Sequence, residues 1–175
     1  NVAFIAGTFL SNVALAVADL ANQRRRLFLA TEPLSDAITM GQGNRFTFRL
    51  RPATYMQTSI LAEEAAKLPA KRWVTVAPNY EYGQSAVKWF RQILSARRPD
   101  VQFVGEQWPA LGGIDAGATV QAQEGRKRGG LFNVLFGPDL TNFVRQGNTR
   151  GLFEGRGVAS MLTGEPEYLD PLGDE

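Results

Sequence analysis

Short apolar runs alternating with amphipathic stretches limit the fold of this chain more than any other feature. Val2 to Ala6, Leu27 to Ala30, Arg72 to Ala77 and Leu131 to Phe136 have strand length and apolar character, as expected of strands in a parallel sheet. Val101 to Gln107 and Gly157 to Leu162 read as two more strands. Arg45 to Leu50 alternates, with Phe46 and Phe48 on one face and Thr47 and Arg49 on the other, the pattern of a half-buried strand.

Helices are expected between these runs. Ser11 to Asn22 is apolar on most sides, so it should be well buried, with Ser11 placed to cap it. Thr54 and Gln57 form a capping-box pattern ahead of Met56, Ile60, Leu61 and Ala65. Gln84 to Arg97 carries Val87, Phe90, Ile93 and Leu94 on one stripe. Asp115 can cap a short helix from Ala116, and Pro138 starts another. Beyond Gly164 the pattern dissolves. A β-α order repeated about six times predicts an α/β fold with doubly wound parallel sheets and right-handed crossovers. The candidate boundary is Leu50-Arg51-Pro52-Ala53, where the alternating strand stops.

The residue inventory removes whole classes of chemistry. The chain has no cysteine and no histidine, which excludes catalytic thiols, disulfides, Cys/His zinc sites and a Ser-His-Asp triad. A net charge of +2 is too weak to argue for a nucleic-acid partner. The basic run Gly125-Arg126-Lys127-Arg128-Gly129-Gly130 reads as a solvated loop. No apolar run has the length of a membrane span. No signal peptide is visible, so the expectation is a removed leader or a start in mid-domain. No nucleotide fingerprint or phosphate loop follows any strand, and Asp139, Glu165 and Glu167 are too scattered for a metal cluster.

In open parallel sheets ligands bind beyond the carboxyl ends of the strands. Those positions are Thr8 to Ser11, Thr31 to Leu34, Asn79 to Tyr82, Gly137 to Asp139 and Thr163 to Glu165. Ser11 has two readings there: a helix cap, or part of an anion site at a helix N-terminus. Tyr82 fits either packing or ligand contact.

Three stretches carry a resemblance. Phe4-Ile5-Ala6-Gly7-Thr8-Phe9-Leu10-Ser11-Asn12, Phe46-Thr47-Phe48-Arg49-Leu50-Arg51-Pro52 and Val74-Thr75-Val76-Ala77-Pro78-Asn79-Tyr80-Glu81-Tyr82-Gly83-Gln84 follow one another in order. Together they resemble the leucine/isoleucine/valine-binding family of ABC-transporter substrate-binding proteins, with the two-lobed type I periplasmic binding protein fold. The resemblance implies that residues 1–52 are part of lobe one, 53–164 most of lobe two, and 165–175 a segment returning toward lobe one. The first lobe would then be partial and would leave apolar faces uncovered.

For function, the resemblance implies a solute-binding component of an ABC transporter, not an enzyme, that closes on a small carboxylate ligand by a hinge near Leu50 to Ala53. It implies a membrane permease as partner, no cofactor, no metal, a periplasmic location and a monomer when full length. Ser11, with Asn12 beside it, matches the serine that binds the ligand carboxylate. Tyr82 matches the aromatic of the second lobe, Gly137 falls near a position often aromatic, and Glu165 is the candidate partner of an ammonium. Phe9, Tyr80 and Tyr82 would supply apolar walls. Leu34 stands where a threonine is expected, and Glu32 adds a charge. Both depart from a standard branched-chain amino-acid site and leave an aromatic or aliphatic acid open. The alternative is a ligand-sensing receptor or regulator domain of the same fold. An enzyme using Asp139, Glu165 or Tyr82 would lack a convincingly spaced acid/base pair.

Overall fold

The computed structural model describes residues 2–124 and 129–173. Most of the basic run therefore lies outside the described residues. Seven strands are described: β1 (Phe4–Gly7), β2 (Leu27–Ala30), β3 (Thr47–Arg49), β4 (Arg72–Val76), β5 (Gln102–Gln107), β6 (Gly130–Asn133) and β7 (Gly157–Ser160). The helices are α1 (Ser11–Arg24), α2 (Thr54–Lys67), α3 (Glu81–Arg97), α4 (Ala116–Glu124), α5 (Gly137–Thr149) and α6 (Pro166–Leu172). All described strand pairings are parallel, as the α/β alternation predicts.

The strands form two sheets, ordered β1-β2-β3 and β5-β4-β6-β7. The second sheet is covered on both faces. One face holds Trp73, Phe90 and Phe132, the last two stacked with ring centroids 3.9 Å apart. The other holds Val74, Leu131, Leu140 and Phe143. Its chain order reverses at β4, which is flanked by β5 on one side and β6 on the other. The crevice between the ends of β4 and β6 is thus a topological switch point, where open α/β sheets place their ligands.

The first sheet is covered on one face only. The parallel register puts Ile5, Phe28 and Thr47 on one side and Ala6, Leu29 and Phe48 on the other. The first side meets Ala14, Ala18 and Ala21 of α1. On the second side Phe4 and Phe48 are both more than half exposed. This corrects the expected polarity of β3: Thr47 is buried and Phe48 faces out. It also corrects β1, whose residues alternate between exposed and half-buried rather than being enclosed.

The helices carry a related correction. The buried stripe of α1 is Ser11, Ala14, Ala18 and Ala21, while Val13 and Leu20 are exposed. Small side chains let the helix lie close on the sheet. In α2 the buried residues are Thr54, Thr58, Ala62 and Ala65, with Met56 and Ile60 outside.

Two capping expectations also change. Leu10 and Ala53 occupy the cap positions of α1 and α2, and neither helix has a side-chain cap. Ser11 and Thr54 are instead the first helical residues, and their hydroxyls serve tertiary contacts. Asp115 does cap α4, its carboxylate accepting the Ala118 N–H at 2.9 Å. The segment after Gly164, expected to be irregular, forms α6. Pro166 sits where its missing N–H costs nothing, and buried Tyr168 anchors the helix on the core of the second sheet.

Candidate functional site

A cleft of about 540 Å³, mouth included, opens where the strand ends of the two sheets meet. The loop after β1 contributes Phe9 and Ser11, the segment after β2 contributes Glu32 and Leu34, and the linker after β3 contributes Arg51. From the second sheet come Tyr80 and Tyr82 after β4, Phe136 after β6, and Leu162, Glu165, Glu167 and Tyr168 after β7.

The turn that delivers Ser11 is strained. Gly7 and Thr8 both have positive φ, +125° and +68°. The first suits glycine. The second is costly for a β-branched residue. This reversal directs the α1 N-terminus toward the cleft, where its first N–H groups lack helical partners. The Ser11 hydroxyl oxygen accepts the Ser35 N–H at 3.2 Å, which leaves its proton to donate.

Ser35 is fully buried, and its polar groups are all engaged. Its hydroxyl donates to Glu81 Oε1 at 2.6 Å and accepts the Ala37 N–H at 3.2 Å. Its carbonyl accepts from Arg49 Nη1 at 2.8 Å. One residue therefore ties the Ser11 side of the cleft to the first turn of α3, directly before Tyr82. A second buried link runs beside it. Asp36 Oδ2 accepts from Thr54 Oγ1 at 2.5 Å and from the Tyr55 N–H at 2.9 Å, and Thr54 meets Ser85 Oγ at 2.6 Å.

Four aromatic rings form the apolar walls. Phe136 meets Phe9, Tyr80 and Tyr82 edge to face, with centroids 5.8, 6.3 and 6.0 Å away. Such contacts fix ring orientation as well as burying area. Tyr82 is 3% exposed, and its hydroxyl has no partner among the described residues. Burial pushes its ionisation far above the ordinary tyrosine range, with smaller contributions from Tyr80 and Tyr168. The phenol is therefore a neutral group able to donate or accept.

The charged groups gather around Arg51. Its Nη1 lies 2.8 Å from Glu32 Oε2, and its Nη2 lies 3.8 Å from Glu165 Oε1. The Glu32 hydrogen bond raises the Arg51 ionisation above its ordinary value against the opposing effect of burial.

Of the residues proposed from sequence, Phe9, Ser11, Glu32, Leu34, Tyr80, Tyr82 and Glu165 line this one cleft. Asn12 is exposed and does not. Gly137 lies outside it as well; its N–H donates to Tyr168 Oη at 2.9 Å. The aromatic is the preceding residue, Phe136. Sequence reasoning also missed Arg51 as a lining residue, although it stands in the stretch Phe46 to Pro52 that carries the resemblance. Glu167 and Tyr168 were missed because their helix was read as irregular. The strand–helix alternation itself, continued one unit past Thr163, could have found them.

Among the described residues, no group of three acidic side chains is arranged to hold a metal ion. No described helix is long and apolar enough to cross a membrane.

Comparison with known proteins gives the same architecture. The chain is similar to a solute binding protein of an ABC transporter from Rhodopseudomonas palustris, solved with 4-hydroxybenzoate. Identity is 24% and the TM-score 0.88, over 99% of this chain and 47% of that one. It is similar to another from Rhodopseudomonas palustris BisB5, solved with 3,4-dihydroxy benzoic acid. Here identity is 25% and the TM-score 0.81, over 91% and 43% of the two chains. An amino acid ABC transporter substrate-binding protein from Pseudomonas fluorescens Pf-5 is 25% identical with a TM-score of 0.74, over 90% and 42%. The chain thus spans less than half the length of each. No curated protein matches it significantly. A family model described as periplasmic binding protein matches residues 1–175, and the chain belongs to that family.

Proposed function

We propose that this chain supplies most of the ligand cleft of an ABC-transporter solute-binding protein, which captures a small carboxylate-bearing ligand and presents it to a membrane permease in the periplasm. The protein binds and releases without turnover. On this reading residues 1–52 belong to one lobe, 53–164 to the other, and 165–175 to the return between them. The hinge lies at Leu50 to Ala53.

The observation that carries the reading is the shared cleft at the switch point of the second sheet. A hydroxyl proton and a helix N-terminus meet aromatic walls there. A carboxylate suits the first pair, since a hydroxyl already accepting from Ser35 offers its proton to an acceptor. The walls suit a flat or apolar body, which is how small-ligand sites combine apolar burial with few polar contacts. Solved relatives hold 4-hydroxybenzoate and 3,4-dihydroxy benzoic acid, and an aromatic acid fits this lining. The departures at Glu32 and Leu34 favour such an acid over a branched-chain amino acid.

A thermal-shift screen of the full-length protein against benzoates and amino acids tests the reading. A carboxylate ligand should raise the melting temperature in a concentration-dependent way. Ser11→Ala should then lower its affinity roughly 10- to 100-fold, the scale of a hydrogen bond to a charged group. Full affinity in that variant would remove Ser11 from the site.

A further inference from the structure

Arg51 stands in the linker between the two sheets, yet its own hydrogen bonds tie it to the first. Arg49 Nε donates to the Arg51 carbonyl at 3.1 Å, and Glu32, beyond the end of β2, holds Arg51 Nη1 at 2.8 Å. Backbone and guanidinium are thus both oriented by the first unit. Across the cleft stands Glu165, which follows β7 of the second sheet. A tight turn fixes its backbone: its N–H donates to the Leu162 carbonyl at 2.9 Å, and its carbonyl accepts the Tyr168 N–H at 3.0 Å. Among the described residues, Arg51–Glu165 is the one ion pair that joins the two units. Its separation of 3.8 Å is about 1 Å longer than a charge-assisted hydrogen bond. Glu167, on the same wall, adds to the attraction at Arg51.

We infer that Arg51 is an electrostatic latch for the cleft: Glu32 holds its guanidinium ready, and closure brings Glu165 within hydrogen-bond distance of it. This rests on the proposed two-lobed clamp and adds what biases its closure. In an open, wet cleft a partly exposed pair contributes little. Closing the cleft expels water, and the same charges then attract in a medium of lower dielectric. The latch therefore acts late in closure, on the rate of reopening more than on the encounter with ligand. It commits Glu165 to Arg51 rather than to the ligand. Salt screens the pair while the cleft is open, so high ionic strength favours the open form.

Spin–spin distance measurements on the ligand-free full-length protein read the closed-to-open ratio directly. Labels at Asn22→Cys on α1 and Asn142→Cys on α5 sit at exposed positions of the two units. Arg51→Gln and Glu165→Gln should each lower the ratio about two- to fivefold, the range of a partly exposed ion pair. The double variant should fall no further than either single one. Raising salt from about 0.05 to about 0.5 M should lower the ratio in the parent and leave the double variant unmoved. An unchanged ratio in either single variant, additive losses, or a salt response that survives in the double variant overturns the latch. The parent's salt response needs no variant, so an absent response overturns the latch even if Arg51→Gln does not fold. None of these readings needs a ligand. Dissociation of 4-hydroxybenzoate, followed by stopped flow, then reports the latch in use. It should quicken by about the same two- to fivefold in either single variant and no more in the double one. A further loss on adding Glu165→Gln to Arg51→Gln would put Glu165 on the ligand and overturn the assignment. Failure of 4-hydroxybenzoate to bind the parent counts against the carboxylate reading alone.

Discussion

Tyr82 carries a cost in the empty protein. Its ring packs against Tyr80 and Phe136, yet its hydroxyl is buried without a partner. An unsatisfied buried donor of this kind is worth about 1–3 kcal/mol of lost stability. Tyr82→Phe keeps the ring and removes the orphan. It should raise the ligand-free unfolding free energy by about 1 kcal/mol and weaken ligand binding, measured by denaturant titration and calorimetry on the same preparation. A variant that is less stable when empty, or binds as well as the parent, would make the hydroxyl a packing accident. Sites that favour function over stability characteristically show this opposition.

At the scale of elements, contacts between strands are tighter than composition suggests. Gly130 pairs with Trp73 across β6 and β4. A Cβ on Gly130 would sit 2.2 Å from the indole ring. The indole is fully buried against Phe90, so it has nowhere to retreat. Gly130→Ala should cost about 3 kcal/mol, at the upper end for overpacked cores, with a matching fall in the denaturation midpoint. Retained stability would mean that β6 can shift along β4.

Element order was legible because period-2 and period-3.6 patterns report the same physics that folds the chain. Strand and helix positions were recovered from Val74, Leu131, Phe90 and Leu94. Which face is buried was not. Thr47 and Phe48 obey the alternation, but their sheet is covered only on the side of α1, so the apolar residue faces outward. Sequence hydrophobicity cannot say which side a partner layer takes. The capping signals at Ser11 and Thr54 failed for a different reason. Both hydroxyls found tertiary partners, and tertiary hydrogen bonds outcompete a local cap when the residue is buried. Seven cleft residues, Phe9, Ser11, Glu32, Leu34, Tyr80, Tyr82 and Glu165, were legible from strand ends alone. Arg51 was not, because an arginine beside a proline carries no pattern that separates hinge from ligand wall.

Across the whole molecule, the two sheets are joined by a few hydrogen bonds and by apolar contacts of Leu34 and Phe9 with the second unit. Ser35 to Glu81 and Asp36 to Thr54 and Ser85 are the main hydrogen bonds beside the cleft. Ser35→Ala removes the tie to Glu81 but retains the backbone N–H that Ser11 accepts. The expected outcome is a more open ligand-free protein by small-angle scattering and faster ligand dissociation. Unchanged scattering together with an unchanged off-rate would mean that the bond follows closure without favouring it. The uncovered face around Phe4 and Phe48 is a separate property of the first sheet and takes no part in this coupling.

The division of labour around Ser35 has a practical consequence for anyone wishing to retune this scaffold as a biosensor. Phe9, Tyr80 and Phe136 shape the pouch through ring contacts, so they are the natural positions for a library. Ser35, by contrast, holds four strands of the wiring in one hand, and a change there alters the reporter and the receptor together.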